Sequence, residues 1–176
     1  MKQFSLKDAL FLGFCAVLII SAKAALRLHL KIPGHAMLFT LFFLLLARGC
    51  VRHGLAATFT GLLAGIMAVI LALGKGGPLI LIKYLLPALV VDGMASILGR
   101  ALFQSVLLCA LTAVLSGSTR FISAVVVNLL AGMDISVIIR YAGLQTIGNV
   151  LFGALGGLAV PLVIRKLKAF GAIEPS

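Results

Sequence analysis

The chain has 176 residues, of which 62% are hydrophobic and 11% charged, and its mean hydropathy is +1.25. A soluble domain carries about 45–50% apolar and about 25% charged residues, so a soluble globular fold is excluded and lipid must cover much of the surface. The net charge of +11 has no basic soluble segment to carry it, which argues against nucleic-acid binding and for the Lys and Arg that collect in cytoplasmic loops of membrane proteins.

A helix needs about 20 residues to cross the hydrocarbon, and charge-free windows locate the spans. Met1 to Asp8 leads into an apolar stretch with no small-residue cleavage site, which reads as a retained first span rather than a signal peptide. That span is charge-free over Ala9–Ala22 and reaches Leu30 if Lys23 and Arg27 are tolerated. Ile32-Pro33-Gly34 breaks it, and a second helix is predicted from Gly34 to Val51. The basic turn from Arg48 through Arg52 and His53 separates it from a third over Gly54–Gly74. Gly74-Lys75-Gly76-Gly77-Pro78 opens a fourth that runs to Leu98, interrupted by Lys83 and Asp92. Ala101–Thr119 is the fifth; Phe121–Met133 either extends it past Arg120 or forms a re-entrant piece. Tyr141–Ile164 is the last, before Arg165, Lys166 and Lys168.

These windows predict an all-α integral membrane protein, a single bundle of about six transmembrane helices over 1–176 with both termini cytoplasmic. With the N-terminus inside, Lys2, Lys7, Arg48, Arg52, Arg100, Arg165, Lys166 and Lys168 form an ordinary inside set of tight turns and a tail. The other basic residues, Lys23, Arg27, Lys31, Lys75, Lys83, Arg120 and Arg140, then gather toward the outer face.

Those outer charges are the candidate binding residues. Placing an ionisable group at bilayer depth costs roughly 3 kcal/mol, and such groups usually face a cavity or a bundle interior. Lys23 and Arg27 are four apart on one face, where like charges repel unless an anion or carboxylate lies between them; snorkelling to outer headgroups is the alternative. His35 starts the second helix and either donates to a ligand or caps the turn. The glycine loop around Lys75 permits close backbone approach, as a rim, a lid or a plain turn. Lys83 lies about one turn into the fourth helix with Tyr84 beside it. Arg120 follows the polar break Ser116-Gly117-Ser118-Thr119, which could kink the helix, and Asn128 is two turns further on the same face. Tyr141, Gln145, Asn149 and Phe152 form a polar–aromatic stripe on the last helix, either a site or interhelical glue. Arg140 and Asp134 close the outer end and can pair, and Asp92 reads as an ion-pair partner of Arg48 or Arg100 rather than a proton relay. No metal site is expected from three scattered histidines and the isolated Cys15, Cys50 and Cys109. Catalytic triads, paired carboxylates and nucleotide-binding loops are missing too, so no enzyme and no cofactor are expected, and active transport would draw energy from a partner or an ion gradient.

Small residues at Ala9-x-x-x-Gly13, Gly61-x-x-x-Gly65, Gly153 and Gly156-Gly157 allow close helix approach. The size, span count, Ala9/Gly13 element and outward polar groups together resemble the substrate-binding S components of energy-coupling factor (ECF) transporters. The resemblance covers nearly the whole chain, although Gly13 stands where the family's element has a second Ala. It implies capture of a vitamin-like micronutrient at the outer face of a bacterial cytoplasmic membrane, separate ATPase subunits, and a transmembrane coupling subunit that Ala9 and Gly13 would contact. The basic residues favour an anionic ligand. The competing readings are a small membrane enzyme acting on an anionic lipid and an ion-coupled permease or channel subunit.

Overall fold

The computed structural model describes residues 5–29, 34–51, 53–73, 77–99, 101–130 and 132–169, with only the backbone described for 26–29, 141 and 168. Its elements are all helical: α1 (Leu6–His29), α2 (His35–Cys50), α3 (Ala56–Ile70), a 3-10 turn over Gly77–Leu79 leading into α4 (Ile80–Leu98), the one-turn α5 (Ala101–Gln104), α6 (Val106–Leu130) and α7 (Ile135–Ala169). Four stretches are long and apolar enough to cross a membrane: Leu6–Ala25, Gly77–Leu98, Val106–Leu130 and Ile135–Leu167. The other two, α2 and α3, have 16 and 15 residues, about 24 and 22 Å at 1.5 Å per residue. The shorter reach of α2 is tolerated because it packs against α1, α3, α4, α6 and α7, with Leu41, Leu44 and Leu45 wholly buried.

Helix directions follow from the close contacts. Gly34 lies against Gly148 while Gly49 lies against Ile164, so α2 and α7 run the same way; Gly117 lies beside Asn149 while Gly157 lies beside Cys109, so α6 and α7 are antiparallel. The main core takes residues from α1, α2, α3, α4, α6 and α7, so the bundle closes around one interior. Leu107, Leu111, Leu115, Ile122, Val126 and Leu129 on α6, and Leu144, Ile147, Leu151, Leu155 and Leu162 on α7, form exposed apolar stripes with helical spacing, the surface a lipid phase requires. Thr40, Thr60 and Thr112 sit buried in the apolar interior because each hydroxyl donates to the carbonyl one turn back, of Ala36, Ala56 and Leu108.

Three predicted spans change their bounds. The fifth span begins at Val106, after a break at Ser105, and then runs unbroken to Leu130, so most of the 121–133 segment extends the helix and is not re-entrant. The Ser/Thr break does not end α6, because Ser118 and Thr119 donate to the carbonyls of Val114 and Ser116 within the helix. The last helix starts at Ile135 rather than Tyr141, with Asp134 accepting from the Ser136 N–H at its entry. The third ends at Ile70 rather than Gly74: Ala72 turns left-handed at φ 47°, and the Leu73 N–H reaches back to the Ala68 carbonyl.

Candidate functional site

The site is organised by α4. Gly61 on α3 lets the two helices close to backbone contact; a Cβ there would come 2.6 Å from the Ala88 Cβ and 3.0 Å from the Tyr84 carbonyl oxygen. This approach seals Tyr84 completely inside the bundle. One turn deeper, Pro87 has no N–H to give the carbonyl of Lys83, so the helix ladder is interrupted beside Lys83 and Tyr84.

Cations from two other helices converge on Tyr84. Lys23 of α1 donates from Nζ to the Tyr84 hydroxyl oxygen at 2.6 Å. The same Nζ is 4.8 Å from the ring centre, so it sits at the hydroxyl end and the contact is chiefly a hydrogen bond. Arg120 of α6 holds its guanidinium carbon 5.6 Å from the same ring centre, within cation–π range. Its Nε is buried and has no hydrogen-bond acceptor. Lys83 is half-buried and within electrostatic reach of Arg120, which carries the same charge. Lys23, Lys83, Tyr84 and Arg120 thus form one cluster, and among the described residues neither Lys83 nor Arg120 has a carboxylate partner.

The other predicted residues lie around or away from this cluster. Asn149 is buried on α7 at the level of Gly117, one turn below Arg120. Gly34, at φ 96°, caps α2 directly against the Gly148–Asn149 backbone, where no larger residue would fit, and so brings half-buried His35 to that level. Gln145 is half-buried one turn outward from Asn149. Asn128 is half-buried two turns beyond Arg120, about 12 Å along the axis. Arg140 is exposed, and it does not pair with Asp134, whose carboxylate takes the Ser136 N–H instead. Arg27 lies in α1 with its side chain outside the described atoms, as does that of Tyr141, and Lys75 lies outside the described residues. Ala9 is exposed, and a Cβ on Gly13 would meet nothing within 4 Å; Leu6, Leu10 and Phe14 share this open face of α1.

Sequence reasoning missed one member. Ser116 lies one turn before Arg120 on the same face of α6, is wholly buried, and its hydroxyl has no partner. The i, i+4 spacing from Arg120 was the available signal.

At the other end of α4, Asp92 is fully engaged. Its carboxylate accepts from the Ala57 N–H at 3.2 Å and from the Thr58 N–H and hydroxyl at 2.7 Å each, so α4 caps the first turn of α3. Arg48 Nε lies 3.1 Å from Oδ1. That N–H makes no aligned hydrogen bond, so the contact is a charge pair rather than a directed bond.

No family model matches the chain, and no curated protein matches its sequence. Among solved structures, the chain is similar to a protein described as an S-component of an ECF transporter, with a TM-score of 0.67, 15% identity, and coverage of 96% of this chain and 88% of that one. The fold is therefore that of an S component, an all-helical multi-pass membrane bundle.

Proposed function

We propose that the chain is a membrane-embedded capture subunit for the uptake of an anionic, vitamin-like micronutrient, and that it works with a transmembrane coupling subunit and separate ATPase subunits in a bacterial cytoplasmic membrane. The observation that carries this reading is the cation cluster on Tyr84 in a bundle with an S-component fold. Half-buried cations beside one another, with the buried Arg120 Nε–H unmatched, are costly, and a bound anion removes that cost. Asp92 is committed to Arg48 and α3 at the other end of α4, and exposed Asp134 is bonded to Ser136, so neither neutralises the cluster. The ligand-binding set is Lys23, Lys83, Tyr84 and Arg120, with His35, Gln145 and Asn149 around it; Arg27, Lys75, Asn128 and Arg140 belong to the proposed set on their sequence positions. The open face at Ala9 and Gly13 offers the coupling subunit a place to dock. Capture without turnover makes the chain a transporter subunit and not an enzyme.

Native mass spectrometry of the detergent-purified chain tests this. A small solute retained by the wild type and lost from Lys83→Ala is the expected result, and liposomes holding the chain alone should transport nothing. A retained phospholipid that the chain converts, or solute movement by the chain alone, would replace this reading with a lipid enzyme or a permease.

A further inference from the structure

Every group that the cluster presents can donate a hydrogen bond. Arg120 Nε–H is buried and unmatched. The Ser116 hydroxyl, one turn away on the same face of α6, is wholly buried and also unmatched; residues at this spacing have Cβ atoms about 5–6 Å apart. The Tyr84 oxygen already accepts from Lys23, and among the described residues its own proton has no acceptor. Lys83 adds three donors and no acceptor. The other buried serine and threonine hydroxyls on the described helices give their proton to the preceding turn, Thr40, Thr60 and Thr112 as above and Ser123 to the Thr119 carbonyl. Ser116 does not, although nothing in α6 denies it a carbonyl one turn back. Buried polar groups are rarely left unmatched, and two on adjacent turns of one face point to an occupant that supplies the acceptors.

We infer that Ser116, Arg120, Lys83 and Tyr84 form a donor-rich receptor, its two cations able only to donate, for an acceptor-only head group, a carboxylate or phosphate oxyanion of the captured solute, and that Ser116 is a specificity-determining residue within it. The inference rests on the capture reading above and sharpens it. A ligand attracted by charge alone needs no hydroxyl and tolerates many shapes. A receptor whose two cations can only donate goes further, because it disfavours a primary amide of the same shape. An amide N–H turned toward Lys83 or Arg120 finds no acceptor, so both sides lose a hydrogen bond.

The chain contains two tyrosines and no tryptophan, so in a Tyr141→Phe background the emission comes from Tyr84 alone. The full-length protein in neutral-lipid nanodiscs is titrated with butyrate, propylphosphonate and butyramide, none of which absorbs where tyrosine does. At least one oxyanion should change the emission saturably, and the two oxyanions separate a carboxylate receptor from a phosphate one. Butyramide should bind at least about a hundredfold more weakly. Ser116→Ala should weaken the preferred oxyanion about ten- to hundredfold, whereas Ser118→Ala, on the exposed side of α6, should leave it unchanged. Equal binding of butyramide, unaltered binding by Ser116→Ala, or silence toward both oxyanions overturns the head-group assignment. If the wild type still retains a solute in native mass spectrometry, the capture reading survives that result; if it retains none, both readings fall.

Discussion

Replacing Asp92 with alanine removes four contacts at once. The carboxylate, 4% exposed, loses two backbone N–H groups of α3, the Thr58 hydroxyl and the Arg48 guanidinium. Breaking one side of a buried ion pair typically costs about 3–5 kcal/mol, because the remaining charge is left uncompensated. The Arg48 side chain is 14% exposed, which lets it recover part of its solvation and points to the lower half of that range. For a chain of this length each kcal/mol lowers Tm by about 2–4 °C, so Asp92→Ala should melt roughly 6–15 °C below the wild type. Cys15 and Cys109 are buried, so a thiol-reactive dye reports the transition as they become accessible. Asp92→Asn keeps an acceptor for Thr58 and should fall between the two. Adding Arg48→Met to Asp92→Ala removes the stranded cation, so the double variant should lose less than the sum of the two single losses. A melt within about 2 °C of wild type for Asp92→Ala, or a fully additive double variant, refutes the charge-pair account.

Gly34→Ala forces a Cβ into left-handed backbone and into the Gly148–Asn149 peptide. The conformational term alone is about 1–2 kcal/mol, so the same dye assay should show a fall of at least several degrees, and an unchanged melt would contradict the packing of α2 on α7. Tyr84→Phe keeps the ring beneath Arg120 and deletes the acceptor of Lys23. It should weaken solute retention about tenfold in a native mass spectrometry titration while shifting Tm little, and undiminished retention would remove Tyr84 from the site.

The spans were legible because charge spacing alone bounds them, and the windows opened by Ala9, Pro78 and Tyr141 fall in α1, at the entry to α4 and in α7. What the windows could not locate were ends fixed by local bonding. Nothing in an alanine announces the left-handed turn at Ala72, and the 116–119 break looked like a helix end because the back-bonds of Ser118 and Thr119 are invisible in a list of residue types. The site shows the same division. The cost of burying Lys23, Lys83 and Arg120 was readable from their apolar surroundings. That Lys23 and Arg120 meet at one tyrosine, with Lys83 in reach of Arg120, depends on the Gly61 contact and on the relative rotation of α1, α4 and α6, which are tertiary facts. Periodicity placed Asn128 two turns beyond Arg120 on the same face, and the unbroken α6 keeps it there, about 12 Å along the axis.

The contrast along α4 argues for an external acceptor. Lys83 and Asp92 are nine residues apart on one helix, with the Pro87 interruption between them. At Asp92 the fold supplies donors from α2 and α3 until a buried carboxylate is satisfied. The same fold leaves Lys83 and Arg120 beside each other without an acid, and leaves Ser116 beside them without an acceptor. One carboxylate in place of Ser116 would give Arg120 an internal acceptor, as Asp92 gives Arg48 a counter-charge. It would also fill the place of an incoming oxyanion and repel it, so a bundle that must capture an anion has to keep its donors unmatched until the ligand arrives.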